Sequence, residues 1–417
     1  MSGQNRVRVV VTGMGGVTPL GNSAEQFWKK LVGGTSGVGP VTLFDASEYP
    51  CKIAAEVRDF DPGQFMNGKE ARRIARFAQF AIASAGMAIE NAALDLSKED
   101  VTQIGVLLGT GIGGIPVTEE NARVMIERGG MRMSPFSIPM ILPNMAAANV
   151  SRIYGLKGYS STVITACAAG NQGIGEAAEA IRRGAAEVML AGGCEAGLCH
   201  LTFGGFNVMK AFTRYDGDPA KASRPFDANR DGFVPSEGAG MLVLERLEHA
   251  LDRGANILAE IKGYGVSSDA FHPVQPDEDG AGAARAMKWA LKNADVSIDE
   301  VDYINAHGTS TPINDHVETL AIKKLFGERA YHVPISSTKS MIGHALGGAG
   351  ALEAIACINT IMHDEIHPTI NYETPDPECD LDYVPNKSRR VRVRNVLSNS
   401  FGFGGQNACV VFGRYED

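Results

Sequence analysis

SSTVITACAAGNQGIGEAAEAIRRG (160–184) and HVPISSTKSMIGHALGGAGALEAIACI (332–358) read as one pattern written twice. Each opens on a strand-forming run, passes through a turn of small residues, and continues as an Ala-rich helix with apolar residues at helical spacing. Around them, short β-rich runs alternate with amphipathic stretches: 7–12, 104–109, 162–165, 188–192 and 240–245, then again near 257–266, 303–306 and 334–337, with a helix over 280–293. This alternation predicts a largely parallel, helix-covered α/β sheet in two similar halves, 1–252 and 253–417. No Pro/Ser-rich linker separates the halves, so they are expected to pack as one body.

The 417 residues carry 44% hydrophobic and 21% charged side chains with 49 glycines, a profile of compact enzymes with close helix packing. A formal charge of −9 argues against a nucleic-acid binder, which needs a broad basic surface. Seven scattered cysteines form no regular disulfide framework, and the start MSGQNRVRVVVTGMG lacks a signal-peptide h-region. No run reaches the ~18 apolar residues of a membrane span. The expectation is a cytoplasmic chain in a reducing compartment.

Cys167 lies where the first strand meets its helix, a position that aims sulfur at the positive end of a helix dipole and favours the thiolate. The other six cysteines read as buried, inert thiols. His307, in INAHGTSTPINDHVET (304–319), follows an apolar strand, and catalytic groups of such sheets gather at that edge. His344 precedes an Ala/Gly-rich helix whose N-terminus disfavours a charged ring. Lys339 and His344 occupy the turn corresponding to that of Cys167, so reactive groups of both halves are expected to meet. Lys339 and Glu353 read as an ion pair fixing that turn.

Three motifs mislead. GTGIGG (109–114) satisfies a dinucleotide-binding fingerprint, the mark of a Rossmann oxidoreductase, but Pro116 interrupts the following helix and no acidic strand end follows ~20 residues on. DANRDGFVPSEG (227–238) begins like a calcium loop yet ends on Gly238. Cys194, Cys199 and His200 lack the second ligand pair of a zinc site.

The blocks VVVTGMGGVTPLG (9–21), TACAAG (165–170), RPFDANRDGFVPSEGAGMLVLE (224–245), NAHGTSTPINDHVE (305–318), KSMIGHALGGAGALE (339–353) and NSFGFGGQN (399–407) together resemble the β-ketoacyl-[acyl-carrier-protein] synthases of type II fatty acid synthesis, in the KAS II group. The resemblance implies a thiolase-like duplicated αβαβα five-layer fold and a homodimer. It also implies a Cys-His-His triad at Cys167, His307 and His344, with Lys339 and Glu353 in support. Phe403 becomes a gate beside Phe401, and the N–H groups of Cys167 and Phe403 become the oxyanion hole. The implied reaction needs no metal or organic cofactor: an acyl group is held on Cys167, and malonyl carrier is decarboxylated and condensed with it. Acyl carrier protein is the implied partner, docked on Lys69, Arg72, Arg73 and Lys210. Those first three, with Arg76, read as one face of a helix. CAAG and GGQN depart from common family forms without removing a triad member. A polyketide synthase with the same triad remains an alternative, as does a chain-length factor, against which Cys167 argues.

Overall fold

The structure, a computed structural model, describes residues 6–416. In the first half the strands are β1 (Val9–Val17), β2 (Ile104–Gly109), β3 (Ser160–Val163), β4 (Val188–Glu195) and β5 (Gly238–Arg246). In the second they are β6 (Ala259–Ser268), β7 (Tyr303–Asn305), β8 (Ile335–Ser336), β9 (Asn395–Gly402) and β10 (Gln406–Gly413). All ten join in one sheet, ordered β8-β7-β9-β10-β6-β1-β5-β4-β2-β3. Outward from the central junction, where Val10 faces Glu260 and Val11 faces Ala259, the halves run β1-β5-β4-β2-β3 and β6-β10-β9-β7-β8. The second order is the first shifted by one half, so the duplication read in the sequence is a duplication of topology.

The expected largely parallel sheet is corrected to a mixed one. In each half the two outer pairings are parallel, β2 with β4 and β3, β7 with β9 and β8. The inner pairings are antiparallel. The reason is visible at β9 and β10, which are joined by the tight turn Phe403–Gly405 rather than by a crossover helix.

The main helices are α1 (Arg76–Asn91), α2 (Ala169–Arg182), α3 (Ala281–Ala294), α4 (Pro312–Phe326) and α5 (Ala349–His363). From Ala349 to Ile361 every residue of α5 is buried, and α2 buries most of its length. Helices apolar nearly all round belong inside a protein, and α2 and α5 touch each other and strands of both halves. They form the middle layer, with Ile174, Ala177, Leu352 and Ile355 packed against Leu244, Val396 and Val410. On the outer face of the first half, α1 packs Phe77, Phe80 and Ile82 against Val106 and Leu190. On the outer face of the second, α3 and α4 pack Met287, Ala290 and Ile322 against Ile304 and Val411. The result is five layers.

The two middle helices meet at their N-termini through backbone. A Cβ on Gly170 would lie 2.8 Å from Ala351 N and 3.0 Å from Gly347 O, so only glycine permits the approach. No helix among the described residues is long and apolar enough to cross a membrane.

Candidate active site

Cys167 sits in a single 3-10 turn, Ala166–Ala168, between β3 and α2. Ala166 is held at φ +48°, an elbow that turns the chain sharply and sets the next side chain, buried as it is, against the cavity. The second half repeats this elbow at Leu346–Gly348, with Leu346 at φ +44°, ahead of α5. The counterpart of Cys167 is therefore Gly347, not His344 or Lys339, which corrects the expected equivalence. The second half inserts a helical turn, Lys339–Ile342, before its elbow, and that insertion carries the lysine and leads to His344.

Cys167, His307 and His344 line one cavity of about 370 Å³. The imidazole centroids are 5.3 Å apart with planes at 85°, and the Phe401 ring lies 5.7 Å from that of His307. Phe206, Phe233 and Leu346 supply apolar wall, Thr309 and Thr311 supply hydroxyls, and Phe403 closes one side with its ring 6.1 Å from Phe206. Exposed lining residues, Met209, Lys210 and Ile313, mark the mouth.

His307 follows β7 and is held by its backbone. Its N–H donates to Glu318 Oε1 at 2.9 Å, and Gly308 N–H donates to Oε2 at 2.8 Å. Asn399 Nδ2 donates to the same carboxylate at 3.1 Å. Lys339, 1% exposed, donates from Nζ to His307 O at 2.7 Å, lies 3.3 Å from His307 Nδ1, and pairs with fully buried Glu353. An ammonium donating to Nδ1 leaves the proton of a neutral ring on Nε2, so His307 presents a donor. His344 is fixed by its backbone N–H to Val234 O at 2.8 Å, with Ser236 N–H donating to His344 O at 3.2 Å.

Burial sets the charge states. It lowers both histidines well below their ordinary range, and the Lys339 charge lowers them further, so both rings are neutral at pH 7. For His344 the cause is burial rather than a helix N-terminus, because α5 begins five residues later. The Cys167 thiol is pushed up to about 12 by burial, opposed by Lys339 and by the backbone N–H groups of Phe403 and Cys167, and reinforced by Glu195. The expected resting thiolate is thus corrected to a thiol: loss of hydration outweighs the helix end. The N–H groups at the sulfur are those suited to a developing oxyanion. Burial also raises the Glu353 carboxyl, and Lys339 opposes the shift.

Removing one partner of a buried pair leaves the other charge stranded, at about 3–5 kcal/mol. Lys339→Met is expected to lose stability of that order in chemical denaturation. Adding Glu353→Gln should restore most of the stability but not the activity, since the donor to His307 Nδ1 stays absent. A single variant within about 1 kcal/mol of wild type would refute the ion-pair account.

The basic residues expected on one helix face are divided by a break. Lys69 lies in the short helix Gly68–Ala71, Arg72 and Arg73 follow it, and α1 starts only at Arg76. Arg76 leaves the surface set because its guanidinium pairs with buried Glu237 at 2.8 Å. Lys69, Arg72 and Arg73 are exposed, with Arg73 stacked 4.5 Å over Phe136.

Pro116 does not interrupt a helix. It sits in the first turn of Ile115–Arg128, where a missing N–H costs nothing. Gly109 of the GTGIGG motif instead packs on α2, where a Cβ would lie 2.1 Å from Ala169 O. In the calcium-like loop, Asp227 accepts N–H groups from Asn229, Glu373 and Thr374.

Sequence reasoning missed Glu318 and Glu195, both fully buried. For Glu318 a signal existed: Asp315, Glu318, Thr319 and Ile322 share one helical face and are all buried, and carboxylates on a core-facing stripe ask for a local reason.

The pattern described as "Beta-ketoacyl synthase, N-terminal domain" matches residues 6–250, and "Beta-ketoacyl synthase, C-terminal domain" matches 258–373. A "3-oxoacyl-[acyl-carrier-protein] synthase 2" of Synechocystis sp. is 49% identical over all of both chains. One from Coxiella burnetii is 48% identical over 98% of this chain and 99% of that relative. Among solved structures, the ishigamide ketosynthase/chain length factor superposes with TM-score 0.93 at 38% identity, covering 99% of this chain and 100% of that one. A type II polyketide ketosynthase in complex with its acyl-carrier protein, AntDE:AntF, gives 0.91 at 38% identity over 99% and 100%.

Proposed function

Because the chain belongs to the beta-ketoacyl synthase family, we infer that it is a 3-oxoacyl-[acyl-carrier-protein] synthase, an acyltransferase that lengthens fatty acyl chains by two carbons through decarboxylative condensation. The observation that carries this reading is the single cavity in which one thiol and two neutral imidazoles converge beside a buried Lys–Glu pair.

In the first half-reaction Cys167 attacks the thioester carbonyl of an acyl carrier. The oxyanion is received by the N–H groups of Cys167 and Phe403, the carrier thiol leaves, and the acyl group stays on sulfur. The proton that the thiol gives up as the attack proceeds ends on the departing carrier sulfur, so the step is balanced. In the second, malonyl carrier enters, and the Nε2–H of His307 with an N–H of His344 binds its thioester oxygen. Loss of CO₂ then leaves an enolate whose charge those donors stabilise. The enolate carbon attacks the acyl carbonyl, the new C–C bond forms as the C–S bond to Cys167 breaks, and the freed thiolate takes up one proton from solvent to return to the thiol.

We assign carrier docking to Lys69, Arg72 and Arg73 with Lys210 at the mouth, basic groups suited to an acidic partner. A homodimer is supported by the open outer edge of β3 and by exposed Ile126, Met131, Ile138 and Ile164, apolar surface that asks for cover. A cytoplasmic location fits a carrier-dependent synthase with free cysteines.

The test is direct: the purified chain, given acyl carrier and malonyl carrier of a fatty acid system, should release CO₂ and a 3-oxoacyl carrier two carbons longer. Absence of that product with each of a series of acyl lengths would refute the reading.

A further inference from the structure

We propose that Glu195 is a positioning residue for the acyl-binding wall: its carboxylate fills the second half's counterpart of the oxyanion site at Cys167, and by holding Ile112 and Leu346 it sets which acyl chains Cys167 accepts. The inference rests on the reading of Cys167 as the acyl carrier.

The duplication exposes the relationship. Glu195 ends β4 opposite Gly238 of β5, and Gly402 ends β9 opposite Gln406 of β10, so the two are equivalent positions. At Gly402 a Cβ would lie 3.1 Å from Cys167 N, and its absence leaves that N–H open to a substrate oxygen. At the other elbow a glutamate stands where Gly402 does. Its Oε2 accepts from Gly347 N, the counterpart of Cys167 N, at 3.1 Å, and from Gly111 N at 2.6 Å. Its Oε1 accepts from Thr110 Oγ1 at 3.0 Å and Ile112 N at 3.3 Å. One half keeps its anion site for substrate, and the other closes it with an internal carboxylate.

The clamp ties two loops, one ending at Leu346 in the cavity wall and the other at Ile112 in the apolar cluster behind it. Leu346, next to Gly347, and Ile112, next to Gly111, belong to the apolar cluster that surrounds Cys167 with Leu198, Phe203 and Phe206. Leu346 sits at a positive φ that its neighbours must hold. Burial pushes the Glu195 carboxyl up to about 7 against these donors. The ionisable groups facing it are Cys167 across the elbow and Cys194 beside it on β4, both thiols that its charge pushes up. Segments 110–112 and 345–348 bring no ionisable side chain, and His344 lies just ahead of the second. Above about pH 7 the carboxylate accepts from all four donors; below it, one oxygen carries a proton toward N–H groups.

Glu195→Gln puts an NH₂ against those N–H groups at nearly constant volume. The ratio of long-chain to short-chain acyl transfer onto Cys167, read by mass spectrometry, is expected to shift about tenfold or more, with malonyl decarboxylation falling less than acyl transfer. Glu195→Asp, which keeps the charge, should return part of the wild-type ratio. If wild type is acylated and the Gln variant matches its ratio within about twofold, this inference alone falls. If wild type is not acylated at Cys167, the functional reading falls and takes this one with it. Should the variants not fold, amide exchange in the unmodified chain decides. Because the closed state holds the Glu195 proton up to about pH 7 and the opened one releases it earlier, protection at Gly111 and Gly347, corrected for intrinsic rates, should fall between about pH 5 and about pH 7, and pH-independent protection would overturn the inference.

Discussion

Cys167→Ala is expected to form no acyl-enzyme and to lose elongation by at least about a thousandfold. Incubation with an acyl carrier should add the acyl mass to the wild-type chain and nothing to the variant. The size of the effect follows from the cavity: among its lining residues Cys167 is the only thiol, and the remaining six cysteines lie elsewhere in the core. The substitution removes only sulfur from a site already buried, so the elbow and both imidazoles should stay in place. Decarboxylation of malonyl carrier should therefore survive in the variant. Normal elongation by Cys167→Ala would sink the covalent mechanism.

His307→Ala and His344→Ala are expected to act on the other half-reaction. Each removes one donor to the enolate oxygen in a site shielded from water, where a single such donor is worth about 10²–10³ in rate. Decarboxylation measured as CO₂ release should fall by that factor, with acylation of Cys167 falling less. The two losses should not be additive, because the donors grip one oxygen. The pH profile is a second readout. Both rings are held well below the ordinary histidine range by burial and by Lys339, so they are already neutral at pH 6. Decarboxylation should be flat from about pH 6 to about pH 8, whereas a histidine of ordinary pKa near 6.5 would give a bend there. Such a bend, or acylation failing while decarboxylation persists in a histidine variant, would refute the assignment.

Much of this was legible in the chain itself. The strand at Ile104–Gly109 appears where its β-branched, apolar run ends on glycine, and α2 and α5 follow the Ala-rich periodicity after each small-residue turn. These features depend on neighbours within a few residues, so local propensity and pattern carry them. Cys167, His307 and His344 could be named because each stands at such a local junction, while the N–H groups of Cys167 and Phe403 are proposed as oxyanion donors on the family resemblance.

What lay beyond the sequence depends on partners far along the chain. The Lys69–Arg76 stretch has helical spacing throughout, yet its helix breaks after Ala71 because Ile74 and Ala75 are drawn into the core and Arg76 turns to Glu237. The mixed sheet follows from which strands find each other, a choice no window of sequence contains. The same is true of the thiol at the heart of the site. That Cys167 stands at an elbow before a helix is written in the chain locally, because the elbow is made of adjacent residues. Its protonation is set by long-range packing, because the water it loses is displaced by side chains of both halves, and that desolvation outweighs the opposing pull of Lys339 and two N–H groups.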